Sequence, residues 1–160
     1  MNFSNNNDNK MPQGNTAVGM TSIAHIYKIG RGPSSSHTIG PEKACNIFKS
    51  KYPTANKFTV ILYGSLAKTG KGHGTDTVIK KTFAPVECEI KFDIEKKDLP
   101  HPNTMELAAF ENSTEIAKTT VLSIGGGNIF FEDSLVESEP IVYPHNKFID
   151  IEAYCSDNNM

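Results

Sequence analysis

The chain has no tryptophan, and Cys45, Cys88 and Cys155 are the only cysteines in its 160 residues. The three lie far apart and form no C-x-x-C pair. That excludes a zinc knuckle or a local iron–sulfur motif built from this chain's own thiols, and no metal ligand is assigned to it. An odd number of cysteines fits free thiols in a reducing compartment better than a disulfide framework. Charge of one sign is lacking too: 16 basic and 18 acidic side chains leave a formal net charge of −2. The cations are scattered, with no basic stripe interleaved with aromatics, so nucleic acid is not an expected partner. The longest apolar stretches, Phe58–Leu62 and Ile129–Phe131, are far shorter than the ~20 residues that span a bilayer. No segment reads as a hydrophobic signal, and a soluble, cytoplasmic chain without a membrane partner is expected.

Apolar residues are almost missing from positions 1–17, where Asn2, Asn5, Asn6, Asn7 and Asn9 dominate. Such a segment buries too little to offset its ordering entropy, and a disordered leader is expected there. A folded domain is expected over 21–139, opening with Ile23, Ile26 and Ile29 at helical spacing. Pro41 suits the first position of a helix, with Glu42 in the first turn and Ala44, Ile47 and Phe48 on its inner face before Pro53 ends it. Phe58–Tyr63 reads as a buried strand. Thr75 is placed to cap a short helix running through Val78 and Ile79 to Phe83. From Glu87 to Ile94 apolar and charged residues alternate, the pattern of a half-buried strand. Strands are also expected over Thr104–Phe110, Glu115–Ser123 and Asn128–Phe131. The polar turn Glu111–Thr114 and the run Gly125-Gly126-Gly127 separate them. Residues 140–160 read as a linker or a partner-contacting tail. The sum is an α+β fold, a mixed and mostly antiparallel sheet with two helices on one face.

Two segments carry most of the chemistry. Ser34-Ser35-Ser36-His37-Thr38 runs straight into a helix start, where unsatisfied N–H groups and hydroxyl donors suit a carboxylate or phosphate. Gly70-Lys71-Gly72-His73-Gly74-Thr75-Asp76 follows a buried strand and reads as a loop. Its glycines leave the imidazole little covered, and Asp76 or Thr75 is placed to orient the ring for general-base work. The glycine spacing matches neither a phosphate loop nor a dinucleotide fingerprint. His101-Pro102-Asn103 is a constrained turn with a third histidine. Taken singly, each of these is also what a capping turn, a glycine-rich connection or a shaped bend looks like.

Taken in order, G-P-S-S-S-H-T-I-G-P, L-Y-G-S-L-A-K-T-G-K-G-H-G-T-D, H-P-N-T-M and S-I-G-G-G resemble one family between about Ile23 and Phe131. It is the β domain, or β subunit, of the iron–sulfur L-serine dehydratases. The resemblance implies an L-serine ammonia-lyase that makes pyruvate and ammonia without pyridoxal phosphate. It implies a [4Fe–4S] cluster ligated by cysteines of an α portion absent from this sequence, and assembly with that portion in an oligomer. It also implies a fold like the serine-binding regulatory domain of some phosphoglycerate dehydrogenases. Under this reading His73 takes the α-proton of L-serine, and Ser34, Ser35, Ser36, His37 and Thr38 hold the carboxylate end. Lys71, Gly72, Thr75 and Asp76 line the substrate beside His73, and His101 and Asn103 complete the pocket. The alternatives are a non-catalytic serine-sensing or assembly module and, more distantly, an unrelated phosphate-binding protein.

Overall fold

The computed structural model describes Ser22 and residues 27–132, 142–145 and 147–159. The expected leader 1–17 and the whole segment 23–26 lie outside the described residues. Ile29, the last of the three isoleucines expected to share a helical turn, is non-helical and fully exposed. The chain divides into two compact units, one over Ile26–Glu137 and one drawn from its two ends.

In the larger unit a helix α1 (Ile39–Lys51) precedes strand β1 (Lys57–Tyr63) and two consecutive helices, α2 (Gly64–His73) and α3 (Thr75–Phe83). Strands β2 (Glu87–Asp93), β3 (Thr104–Glu111), β4 (Thr114–Gly125) and β5 (Asn128–Phe131) follow. They form one five-stranded sheet in the order β2-β1-β3-β4-β5. The β1–β2 pair is parallel and the other three pairs are antiparallel, a mixed α+β sheet as expected. The parallel pair follows from the crossover through α2 and α3, since parallel neighbours need a long connection.

Register shows why one face is the core. Phe58, Val60 and Leu62 of β1 stand opposite Ala109, Leu107 and Met105 of β3, and opposite Cys88, Ile90 and Phe92 of β2. With period-two alternation all of these point to the same side. Ala44, Cys45 and Phe48 of α1, Leu66 and Ala67 of α2, and Ile79 and Phe83 of α3 fill the layer against them. The rings of Phe58 and Phe83 stack at 4.2 Å, tying sheet to helix. Lys49 of α1 donates to the carbonyls of Thr82 (2.9 Å) and Ala84 (2.7 Å), closing the C-terminal end of α3 with a cation.

Three helices, not two, cover this face, because the segment expected as a glycine-rich loop is helical. Helix α1 starts at Ile39, so Pro41 is its third residue, and Ile47 is exposed. Thr75 is the first residue of α3 but gives that helix no side-chain cap. The two β3–β4 turn residues, Asn112 (φ 48) and Ser113 (φ 69), lie in the left-handed region that a two-residue hairpin demands. The tail expected as a linker contains a helix, α4 (Phe148–Asp157), with no buried residue.

Strand β1 passes into α2 without an intervening residue. Gly64 makes that turn at φ +53, and a Cβ there would lie 2.4 Å from the carbonyl oxygen of Pro102. The same carbonyl accepts the N–H of Ser65 at 2.7 Å, so it has little room to retreat. Gly64→Ala is expected to lower unfolding free energy by on the order of 2 kcal/mol or more, the scale of a strained left-handed residue plus a backbone clash. Chemical denaturation of the two proteins checks it; equal midpoints would contradict it.

Candidate active site

The two histidines singled out in the sequence meet. The rings of His37 and His73 lie 4.5 Å apart between centroids and are tilted by 34°. His37 comes from the turn before α1 and is buried; His73 ends α2 and is half-buried.

The Ser34–Thr38 segment is a closed turn. The N–H groups of His37 (3.1 Å) and Thr38 (3.0 Å) donate to the carbonyl of Ser34, and that of Gly40 donates to Ser35 (2.9 Å). These N–H groups are therefore already bonded, which corrects the expectation that they stand open to an anion at the helix start. Thr38 is fully buried, and its hydroxyl is directed at the carbonyls of Ser34 (2.7 Å) and Arg31. It shapes the turn. Ser34 and Ser36 place their hydroxyl oxygens 3.1 and 3.2 Å from His37 Nδ1, while Ser35 lends its carbonyl.

Helix α2 supplies the other half. Ser65, Thr69 and His73 recur at four-residue intervals and therefore share one face. Ser65 Oγ and Thr69 Oγ1 lie 3.2 and 3.0 Å from His37 Nε2. His73 Nδ1 lies 2.9 Å from the main-chain carbonyl of Thr69. The ring is thus oriented by Thr69, not by Asp76 or Thr75 as expected. Asp76 accepts the N–H of Thr77 at 2.8 Å in the first turn of α3. Thr75, fully buried, donates its hydroxyl to the carbonyl of His37 at 2.7 Å and so fixes the other imidazole's backbone.

Lys71 and Gly72 are not brought into this cluster. Lys71 lies two residues from both Thr69 and His73, about 200° around the helix. Its ammonium sits 5.1 Å from the centre of the Phe92 ring. Gly72 is exposed. The His101–Asn103 turn approaches through Pro102, whose carbonyl holds Ser65. Within that turn His101 Nδ1 accepts the N–H of Asn103 at 3.0 Å, and the Asn103 amide donates to Ser123 at 3.3 Å. Asn103 Oδ1 and Ser123 Oγ are buried without a hydrogen-bond partner.

Sequence reading missed Ser65 and Thr69. Their signal is the interval Ser65–Thr69–His73, visible only once 64–73 is taken as a helix.

Burial first, and the neighbouring His73 second, hold His37 below the ordinary imidazole value; its contact with Ser65 works the other way. Thiols present a different case. Burial pushes Cys45 well up and Cys88 up to about 12, so neither is a ready thiolate nucleophile. Among the described residues no three His, Cys, Asp or Glu side chains gather as a metal site. The described residues by themselves therefore offer no set of ligands for a cluster.

Residues 22–84, which contain both halves of the histidine pair, match the family described as serine dehydratase beta chain. That segment is a serine dehydratase beta-chain domain. An L-serine dehydratase of Haemophilus influenzae is 32% identical over an alignment covering 88% of this chain and 41% of that protein. One of Helicobacter pylori is 33% identical, over 84% of this chain and 39% of its own length. A probable L-serine dehydratase beta chain of Bacillus subtilis is 34% identical, over 61% of this chain and 52% of its own. The chain thus spans about a third to a half of the length of the curated relatives it matches. Among the described residues no helix is long and apolar enough to cross a membrane.

The depressed His37 sets a pH dependence with a definite sign. A group whose folded value lies below its unfolded value of 6.5 stabilises the fold fully above that pH. It loses the contribution as pH falls through the folded value. The beta-chain domain is therefore expected to keep a level melting temperature above pH ~6.5 and to lose stability below it. His37→Asn should flatten that acid-side decline, which thermal scans across pH will show. An identical decline in the variant would contradict it.

Proposed function

We propose that this chain is the β portion of an L-serine dehydratase, deaminating L-serine to pyruvate and ammonia together with a cysteine-bearing α portion. The observation that carries the reading is the imidazole pair in a shell of hydroxyls, with His73 Nδ1 set against a carbonyl. A carbonyl oxygen only accepts, so Nδ1 carries the ring proton and Nε2 is left bare. A bare nitrogen on a half-buried ring is what a proton acceptor requires.

In this reading His73 Nε2 takes the α-proton of L-serine while the hydroxyl at the β-carbon departs. The aminoacrylate formed gains a proton to become an imine, and water hydrolyses it to pyruvate and ammonia, so water lost in the first stage is regained in the last. The Ser34–Ser36 turn and Ser65 face the substrate's polar end, and His37, held neutral by burial, keeps a second positive charge away from the base. The [4Fe–4S] cluster implied by the resemblance is assigned to the α portion, where it supplies Lewis-acid chemistry. A cytoplasmic, oligomeric enzyme belongs to the same proposal.

The test is His73→Asn, assembled with the α portion under anaerobic conditions. It is expected to bind serine and to lose on the order of 10²–10⁴-fold in kcat, the usual contribution of a positioned acid–base group. Exchange of the serine α-hydrogen with deuterated solvent should fall in parallel. Near-normal turnover would remove His73 from the role. Serine binding by the wild-type assembly without any pyruvate would favour the serine-sensing module instead.

A further inference from the structure

We infer that Thr69 is a positioning residue that holds the two imidazoles in opposite tautomers, His37 through its hydroxyl and His73 through its carbonyl. The Thr69 hydroxyl has one proton, and Oγ1 lies 2.9 Å from the Ser65 carbonyl one helical turn back. That carbonyl has no proton to give, so the hydroxyl donates to it, the usual back-bond of a helical threonine. The lone pairs of Oγ1 then face His37 Nε2 at 3.0 Å, and a contact of that length requires the proton on Nε2. A neutral His37 therefore has a bare Nδ1, which accepts from Ser34 or Ser36 at 3.1 or 3.2 Å. On the same residue, the Thr69 carbonyl takes the Nδ1 proton of His73 at 2.9 Å. His37 thus carries its proton on Nε2 and His73 on Nδ1. Among the described residues each ring nitrogen but one is engaged, and His73 Nε2 is the site in the pair where a new proton lands without displacing one of these hydrogen bonds.

The catalytic consequence rests on the proposed dehydratase reading; the tautomers do not. The full chain, labelled with ¹⁵N and observed by long-range proton–nitrogen correlation above pH ~6.5, reports which ring nitrogen is protonated. In the wild type His37 is expected as Nε2–H and His73 as Nδ1–H. Thr69→Val keeps the shape and the carbonyl but removes the hydroxyl. His37 should then shift toward Nδ1–H, because Ser65 Oγ, 3.2 Å away, is left to donate to Nε2. His73 should not change, and Thr69→Ser should restore His37. A wild-type His37 protonated at Nδ1, or a Thr69→Val spectrum with His37 unaltered, overturns the inference. If Thr69→Val does not fold, the wild-type and Thr69→Ser spectra still decide it, since Nδ1–H in either is fatal. In the assembled enzyme Thr69→Val should lower kcat on the order of 10- to 100-fold, the scale seen when a partner that fixes an imidazole is removed. KM should change little and Thr69→Ser should recover the rate. Normal kcat beside a shifted tautomer overturns the positioning role and leaves the dehydratase reading intact. A wild-type assembly that makes no pyruvate sinks the dehydratase reading while the spectra still stand.

Discussion

Everything at the histidine pair depends on a strand that becomes a helix with no residue to spare. Tyr63 ends β1 in an extended conformation and Gly64 turns the chain at φ +53. The position of α2 follows from that one dihedral and from the Ser65–Pro102 hydrogen bond. Rotate the start of the helix, and the stripe of Ser65, Thr69 and His73 faces something other than His37. The opposite end is fixed with similar economy. Gly74 at φ +75 ends α2 and begins α3 at once, and Thr75, the next residue, pins the His37 carbonyl. His37 is thus held by Ser65 and Thr69 of α2 and by Thr75 of α3, and His73 by the Thr69 carbonyl.

Much of the sheet was legible because period-two alternation survives even in a short strand. Glu87–Asp93 displays it openly, and the turn residues between β3 and β4 are polar as a hairpin needs. Helix α2 was illegible for a physical reason. Gly70 and Gly72 each cost about 1 kcal/mol in a helix interior relative to alanine, so propensity argues for a loop. Burial overrides it: Leu66, Ala67 and Gly70 pack inward, and a Cβ at Gly70 would approach Thr75 Oγ1 to 3.3 Å. A larger helix former at Gly70 would therefore press on Thr75, the residue that pins the His37 carbonyl. The error then propagated to the site, because a loop gives no reason to align Ser65 and Thr69 with His73. The histidines themselves needed no helix to be noticed, being set among small and hydroxyl residues in both segments.

The Ser34–Thr38 turn shows a second departure, in its main chain. Serines before a helix suggest N–H groups open to an anion, yet here the N–H groups of His37, Thr38 and Gly40 close the turn and two serine hydroxyls meet an imidazole. Hydroxyls suit this because each can donate or accept, whereas a carboxylate beside His37 would draw it toward the charged form. Burial and the second imidazole push the other way, and a shell of neutral groups lets them prevail. Under the proposed reading the neutrality has a use. Two imidazolium ions 4.5 Å apart repel, so a His37 that stays neutral leaves His73 free to take a proton without paying for a like charge beside it.

That arrangement also sets a limit on what this chain does alone. Removing the α-proton of serine builds negative charge on carbon, and expelling hydroxide builds it on oxygen; both need a positive or electrophilic group close by. Lys71, the cation nearest in sequence to His73, is turned to the Phe92 ring on the far side of α2. The described residues at the pair handle protons and hydrogen bonds, and none of those shown in contact with the two rings carries a fixed positive charge. The proposed division of labour follows from this chemistry: the β portion contributes the proton acceptor and its orientation, and the α portion contributes the electrophile. The placement of the rings fits that proposal. A base that must meet an electrophile held by another part of the enzyme belongs on an open rim, and His73, the last residue of α2 and only half-buried, occupies one.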